Sequence, residues 1–311
     1  MRQVIGIGEI VLDIIFQNDR PTAAVPGGST FNSLISLGRA GIPAAMLSET
    51  GDDSVGQRCR DFMEQNGVSS RYVLKYIGSQ TPISLAMLDK NNDASYEFYK
   101  GDYGIRRNFT MPDICPNDII LFGSYYALNP ILHPFVSEFL NYAKKRGAIL
   151  YYDINFRQAH AKEKVRLLAS ILDNMEMADI VRGSGEDFEI LFGNTDPDFI
   201  YKNHVSYYTK LFIETNGAKN VALRTGNLTK DYPVKPCRSI STIGAGDNFN
   251  AGLLCALIQS GIERNELPTL PERQWDELLE CALSFASNVC GSIKNYIDED
   301  FAKHVRISLR S

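Results

Sequence analysis

Ser241-Thr242-Ile243-Gly244-Ala245-Gly246-Asp247-Asn248-Phe249-Asn250-Ala251-Gly252 is the stretch on which the reading of this chain turns. Two glycines flank a small alanine, so the backbone can turn tightly and come close to a ligand. Phe249, Leu253, Leu254 and Leu257 then recur at helical spacing, which predicts a helix that starts here and ends near Gly261. A helix N-terminus presents unpaired N–H groups and a partial positive charge, which suits a phosphate or a developing oxyanion. A carboxylate is out of place there as a phosphate ligand. It suits a base that takes a proton from a hydroxyl attacking phosphorus. The plainer alternative is a loop in which Asp247 only caps the helix.

The 311 residues are 44% hydrophobic and 22% charged, ordinary for a globular protein of one large or two modest domains. The net charge of −5 and the lack of a basic block argue against a nucleic-acid partner. Residues 1–9 are too poor in apolar side chains for a signal peptide and read as a first strand. No apolar run reaches the length of a membrane span. The six cysteines include no CxxC pair, and a reducing cytoplasm fits them best. The four histidines are scattered, which argues against a zinc site.

Short apolar runs at 4–8, 44–47, 119–122, 149–152, 179–181 and 220–223 read as strands. Segments 31–40, 55–66, 134–146, 162–174, 247–260 and 276–291 read as helices. This alternation implies a mostly parallel sheet with helices on both faces and ligands at the carboxyl ends of its strands. Ile83–Leu88 and Ala94–Tyr99, split by Asp89-Lys90-Asn91-Asn92-Asp93, break the pattern and read as a hairpin. With residues 10–24 it predicts a small antiparallel flap. Residues 194–210 and 263–273 read as connections with some helical character.

Three further stretches carry polar groups at strand ends. Gly8-Glu9-Ile10-Val11-Leu12-Asp13 places an acid after the first strand. It lacks the third glycine of a dinucleotide fingerprint, and no P-loop pattern occurs. Pro26-Gly27-Gly28-Ser29-Thr30-Phe31-Asn32 is a glycine turn feeding a helix, with Ser29 or Thr30 available as its cap. Asp153-Ile154-Asn155-Phe156-Arg157 alternates polar groups as it leaves a strand. Each also reads as an ordinary loop when taken alone.

In this order, these stretches resemble the ribokinase-like (PfkB) family of carbohydrate kinases, from Met1 to about Ile297. Gly27-Gly28-x-x-x-Asn32, continuing to Leu37-Gly38 and Gly51-Asp52-Asp53-x-x-Gly56, looks like its first signature. Thr242-x-Gly244-Ala245-Gly246-Asp247-x-Phe249-x-x-Gly252 looks like its second. The run at 153–157 is similar to that of fructokinases and 2-keto-3-deoxygluconate kinases. The resemblance implies an α/β, ribokinase-like three-layer sandwich, one kinase domain over 1–311. Its central sheet is mostly parallel, and a small β lid comes from about 10–24 and 72–104. In many members the lid carries a homodimer contact.

By the same resemblance Asp247 is the general base, and the 244–247 backbone, from Gly244, Ala245 and Gly246, is the anion hole. Asp13, Gly27, Gly28 and Asn32 hold sugar hydroxyls, with Asn155 and Arg157 near the sugar and the transferred phosphate. The implied cofactors are ATP and Mg2+. Ser184, Arg224, Gly226 and Asn288 are placed toward the nucleotide, and Asp187 toward the metal through water. Three departures stand out: Ser241 for a frequent Asp, Ser184-Gly185-Glu186-Asp187 for Asn-x-x-Glu, and a short stretch after Leu223. Phe98-Tyr99-Lys100 stands where acid-sugar kinases tend to carry an arginine. The expected activity is transfer of the ATP γ-phosphoryl group to a sugar, fructose first. Alternatives are 2-keto-3-deoxygluconate, ribose or a nucleoside, or a sugar-binding protein with impaired catalysis.

Overall fold

The computed structural model describes residues 2–88, 94–99, 101, 109–236, 240–292 and 294–308. Strand β1 (Val4–Ile7) runs past Gly8 and Glu9 into a hairpin of β2 (Val11–Gln17) and β3 (Arg20–Gly27). Asn18 and Asp19 form its turn with φ of 52° and 59°, the mirror-image conformation that matches strand twist and that Asn and Asp tolerate. Helix α1 (Ser29–Arg39) follows, then β4 (Ala44–Gly51), α2 (Ser54–Gln65), β5 (Val68–Ser69) and β6 (Val73–Tyr76). A second hairpin comprises β7 (Ile83–Leu88) and β8 (Ala94–Tyr99). Next come β9 (Ile119–Gly123), α3 (Ser124–Leu128), α4 (His133–Lys145), β10 (Ile149–Asp153) and α5 (Lys164–Met177). After them lie β11 (Ile180–Ser184), α6 (Gly185–Phe192), α7 (Pro197–Ile200), β12 (Leu211–Asn216), β13 (Asn220–Arg224) and β14 (Thr229–Pro233). Helices α8 (Ala245–Gln259), α9 (Glu272–Cys290) and α10 (Glu299–Ser308) complete the described chain.

The central sheet has the order β14-β13-β12-β11-β10-β9-β1-β4-β5, with β6 also paired to β4. All its pairings are parallel except β12–β13 and β13–β14. Successive side chains of a strand face opposite ways, and both faces here are covered. Ile119, Leu121, Ile149 and Tyr151 pack with residues of α1, α8 and α9. Ile120, Phe122, Leu150 and Tyr152 pack with residues of α4, α5 and α6. Each such fully buried apolar side chain contributes roughly 1.5–3 kcal/mol. The result is three layers, helix on sheet on helix. Chain order reverses between β1 and β9, and the crevice for a ligand opens beside the carboxyl ends of the strands at that point.

A second sheet, β3-β2-β7-β8, stands beside the first. It contains both segments expected in a flap, but β2 and β7 pair in parallel, so it is not antiparallel throughout. The chain between them travels through α1, β4 and α2 and re-enters from the same end. Residues 73–76, expected in the lid, belong instead to the central sheet as β6. The turn at 89–93 lies outside the described residues. Strands β12 and β14 were not expected, and α3 and α10 are additional helices. The stretch after Leu223 is the tight turn of the β13–β14 hairpin, closed by Thr225 N–H donating to Leu228 O at 2.8 Å. Among the described residues no helix is long and apolar enough to cross a membrane.

Asp53 joins the two sheets. Its Oδ1 caps α2 by accepting from Gly56 N–H at 2.7 Å. The same carboxylate accepts from the N–H and hydroxyl of Thr81, each at 2.7 Å, at the entry to β7. Burial works against its charge, and these hydrogen bonds outweigh burial and hold its pKa below the ordinary 3.8. Asp53→Ala is expected to lower stability by about 1–2 kcal/mol, the usual cost of a lost N-cap. Urea denaturation checks this, and an unchanged midpoint would remove the tie from the account of the lid.

Candidate active site

Helix α8 begins at Gly244, whose φ of 76° and ψ of 0° lie in the left-handed region. The Ala245 N–H turns back to Thr242 O at 3.2 Å, while the ladder starts with Asn248 N–H on Gly244 O at 2.9 Å. The N–H groups of Gly246 and Asp247 fall in the first turn, where no intrahelical carbonyl is in reach. They, unlike that of Ala245, are left without a helical partner, although of residues 244–247 only Gly244 and Asp247 line the cleft. Asp247 does not cap its own helix. Its side chain is buried and points across to α1. Ser29 Oγ donates to Oδ1 at 2.7 Å, and Asn32 Nδ2 donates to Oδ2 at 2.8 Å. Ser33 Oγ donates to the backbone carbonyl of Asp247 at 2.7 Å, and Ser36 Oγ to Asn248 Oδ1. Asn248 Nδ2 donates to Gly244 O and Asn295 O, both at 2.8 Å.

These α1 donors sit at positions 29, 32, 33 and 36, one stripe of a helix. Ser29 was expected as a cap for α1, but that helix has Gly28 at its N-cap and no side-chain cap. The hydroxyl is spent on Asp247 instead. Burial raises the Asp247 pKa above its ordinary value, with the bonds from Asn32 and Ser29 and the charge of Arg157 opposing. A base raised in this way is better matched to work near neutrality than an exposed carboxylate.

Asp13 lies on β2 with its carboxylate over Gly27 of β3. A Cβ on Gly27 would stand 2.1 Å from Asp13 Oδ2, so glycine is required there to seat the acid. Ser84 of β7 donates to Oδ1, and Asn295 Nδ2 donates to Oδ2 at 3.3 Å. Burial pushes the Asp13 pKa up from 3.8 to about 6, with the Asp247 charge adding to it and the bond from Ser84 opposing.

One cleft is lined by Asp13, Gly28, Asn32, Asn155, Arg157, Gly244 and Asp247, seven of the residues expected at the site. Sequence reasoning missed Glu9, Ser29, Tyr125, Tyr126, His160 and Asn295, which also line it. The Tyr125 and His160 rings stack 4.1 Å apart. Ser124 and Asn155 have φ of 53° and 39°, and Asn155 Nδ2 donates to Ser124 Oγ at 2.7 Å. Backbone held in this sparsely populated region gathers at functional sites. The two residues end β9 and β10, adjacent parallel strands.

The expected nucleotide and metal residues lie elsewhere. Asp187 and Ser184 form a reciprocal capping box on α6. Asp187 Oδ2 accepts from Ser184 N–H at 2.6 Å, and Oδ1 accepts from Phe156 N–H at 2.7 Å. With both oxygens turned to its own helix and the 153–157 loop, Asp187 does not fit a water-mediated magnesium anchor. It fits a brace for Asn155 and Arg157. Among the described residues no group of three His, Cys, Asp or Glu is placed to hold a metal ion. Arg224 is buried and bonded to Asp198 at 2.5 Å and Asp231 at 2.7 Å. Asn288 closes on Asp298 through Nδ2 at 2.7 Å and through Oδ1, which accepts from Asp298 N–H at 3.0 Å. Gly226 sits in the β13–β14 turn. None of these five is among the residues lining the cleft.

The model of the pfkB family carbohydrate kinases matches residues 1–298. "Probable fructokinase-4" of Arabidopsis thaliana is 26% identical over 309 residues, which cover 93% of this chain and 90% of the relative. Among solved structures, aminoimidazole riboside kinase from Salmonella enterica, complexed with aminoimidazole riboside and an ATP analog, superposes with a TM-score of 0.83. It is 18% identical, with 99% of this chain and 100% of that chain covered. Fructokinase from Xylella fastidiosa with bound ATP also gives 0.83, at 17% identity and full coverage of both chains (100% each). These structural likenesses establish a shared fold.

Asp13 offers a pH test. Its folded-state pKa is raised, so between 3.8 and about 6 the folded protein holds more protons than the unfolded chain. Stability from this group is therefore present at low pH and declines as pH rises through that window. Asp13→Asn removes the loss. It is expected to gain stability relative to wild type across the window, by up to roughly 3 kcal/mol, while binding sugar more weakly. Melting curves below and above the window check it; a gap between the proteins that does not change with pH would overturn the burial account.

Proposed function

Because the chain belongs to the pfkB family of carbohydrate kinases, we propose that it transfers the ATP γ-phosphoryl group to fructose with Asp247 as general base. The observation that carries the reading is the placement of Asp247: a buried carboxylate at the N-terminus of α8, held through both oxygens by α1 and facing the cleft. A sugar hydroxyl entering the cleft takes the place of the Ser29 hydroxyl at Oδ1. Its proton passes to Asp247 as its oxygen bonds to phosphorus, and ADP leaves. The N–H groups of Gly246 and Asp247 meet the charge on the transferred group. Positioning and charge stabilisation of this kind are most of what phosphoryl transfer asks of a protein. Asp13 and Asn32 hold the remaining hydroxyls. Magnesium, when it accompanies the nucleotide, would be held by the phosphates and water.

Fructose is preferred on two grounds. The curated relative over nearly the whole chain bears a fructokinase name. The cleft also carries Glu9, Asp13 and Asp247 against Arg157, so a carboxylate-bearing sugar would meet a surplus of acids and a neutral polyol would not. The lid exposes Met87 and Tyr99, apolar surface that the proposed homodimer would cover, while Phe98 lines the cleft. Cys59, Cys115, Cys255 and Cys281 are in no disulfide, which supports a cytoplasmic setting.

ADP release with fructose, ribose, 2-keto-3-deoxygluconate and a nucleoside tests the substrate, fructose being expected to give the highest kcat/KM. Asp247→Asn is expected to lower kcat by roughly 10²–10⁴-fold while fructose binding, measured by calorimetry, persists. Normal turnover in that variant would overturn the assignment of the base.

A further inference from the structure

Directly under the anion-facing turn lies a buried cation, Arg182 of β11. Its side chain is 6% exposed, and Nη1 donates to Asp153 Oδ1 at 2.9 Å. Nη2 donates to Thr215 Oγ1 of β12 at 2.5 Å. The Nε has no partner among the described residues. Asp153 is itself shared: its Oδ2 accepts from Asn250 Nδ2 of α8 at 2.8 Å, and the Tyr151 hydroxyl donates to Asn250 Oδ1 at 2.9 Å. The guanidinium also stands 5.8 Å from the centre of the Phe249 ring. Three strands and the first turn of α8 are thereby joined around one charge.

The contact with the turn is close. A Cβ on Gly246 would stand 3.0 Å from Arg182 Nη2 and 3.2 Å from Nη1. The sequence suggests that Gly246 is glycine because a ligand approaches it. The structure gives a different reason, that Arg182 fills the space beneath it from the scaffold side. Burial opposes the charge of Arg182, and Asp153 beside it more than restores it, leaving the pKa raised. A charge in a poorly screened interior acts more strongly on its surroundings than one in water.

We propose that Arg182 is a positioning residue for phosphoryl transfer: its guanidinium props the Gly244–Asp247 turn from below and places fixed positive charge under the N–H groups that receive the transferred phosphoryl group. This rests on the reading of Asp247 and its turn as base and anion site. The competing reading is an ion pair that serves only to hold β10, β11 and β12 together.

Arg182→Lys and the double variant Arg182→Met with Asp153→Asn separate the two. The double variant avoids leaving a buried, uncompensated carboxylate, which is strongly destabilising. Wild type and both variants are assayed for melting temperature, fructose KM, kcat, and calorimetric affinity for ADP alone and for ADP with fluoroaluminate, a mimic of the transferred group. The double variant is expected to lose about 10–100-fold in kcat and in fluoroaluminate-dependent affinity, less than the roughly 10²–10³-fold lost when a direct donor is removed, because Arg182 acts through the turn. Its fructose KM and its affinity for ADP alone are expected to stay within about threefold of wild type, since only a group acting in the transition state lowers kcat selectively. Arg182→Lys, which keeps the charge, is expected to recover part of the loss. If the double variant does not fold, Arg182→Lys alone decides, with a lowered kcat at unchanged fructose KM as the expected result. The proposal is overturned if kcat and fluoroaluminate-dependent affinity match wild type, or if every binding constant weakens together with the melting temperature. Asp247→Asn, run alongside, tells the two readings apart. If it stays active, the reading of the site fails; if it is inactive while the Arg182 variants are normal, only the role of Arg182 fails.

Discussion

The constraint on which the site depends is the seating of one buried carboxylate. Taking Asp247 out of water costs several kcal/mol unless its oxygens are hydrogen-bonded. The fold meets that cost by bringing two helix N-termini to the same point. Helix α8 supplies the carboxylate in its first turn, and α1 supplies Ser29 and Asn32 to its two oxygens. Ser33 and Ser36 extend the seam to the backbone of Asp247 and to Asn248. Two helices joined by four polar contacts cannot slide past one another as an apolar pair can. The position of this carboxylate relative to the cleft is therefore set by α1, and α1 is set in turn by its packing on β1 and β4 through Phe31, Leu34 and Ile35.

A second consequence follows from the crowding of acids. Burial raises the pKa of both Asp13 and Asp247, and the charge of Asp247 adds to the rise at Asp13. The charge of Arg157, on the wall of the cleft, opposes the rise at both. That arrangement destabilises the folded chain and is the expected mark of a working site, where stability is given up for reactivity. Asp187 and Asp153 contrast in their partners and in lying off the cleft, although burial raises the Asp187 pKa as well. Asp187 is saturated by its capping box and Phe156, and Asp153 by Arg182 and Asn250. Both brace the loop and strand that carry the cleft residues without opening onto it.

This distinction between reactive and bracing acids marks the limit of what could be read from the chain. The α/β architecture was legible because apolar runs and amphipathic segments alternate plainly, and the lid hairpin because its two runs flank a turn-rich stretch. Asp13, Gly28, Asn32, Asn155 and Arg157, which share the cleft, could be picked out because they follow strands or glycine turns. The α1 seam was hidden, since Ser29, Asn32, Ser33 and Ser36 on the face away from Leu34 and Ile35 look like an ordinary solvated stripe. Strand β11 was read as ending at Val181 because Arg182 breaks the apolar run, although the strand continues to Ser184 with that arginine buried. Strand β12 was missed for a like reason. Glu214 interrupts it, yet is buried, and burial pushes its pKa up to about 7. In each case a charged side chain sits inside because the tertiary structure provides for it, and no local pattern carries that information. Arg224 was placed toward the nucleotide by the resemblance alone; its partners Asp198 and Asp231 come from other elements and could not be read locally.

The departures from the family pattern bear on whether the chain is a working enzyme or a sugar-binding relic. Each is answered locally. Ser241 still accepts a hydrogen bond from Ile243 N–H at 3.2 Å, holding the approach to the glycine turn. Ser184 and the shorter Asp187 fit one another as a reciprocal box, a pairing that a hydroxyl and a carboxylate make three residues apart at a helix start. Its second oxygen then reaches Phe156 and fixes the loop that presents Asn155 and Arg157. The stretch that looked like a truncated nucleotide loop is a closed hairpin turn with its own Thr225 hydrogen bonds. A chain released from catalysis would have no physical reason to retain a buried carboxylate with a raised pKa beside unpaired helix N–H groups, at a cost in stability. The placement of that carboxylate, held through both oxygens and facing the cleft, supports the proposal of an active kinase over an impaired one.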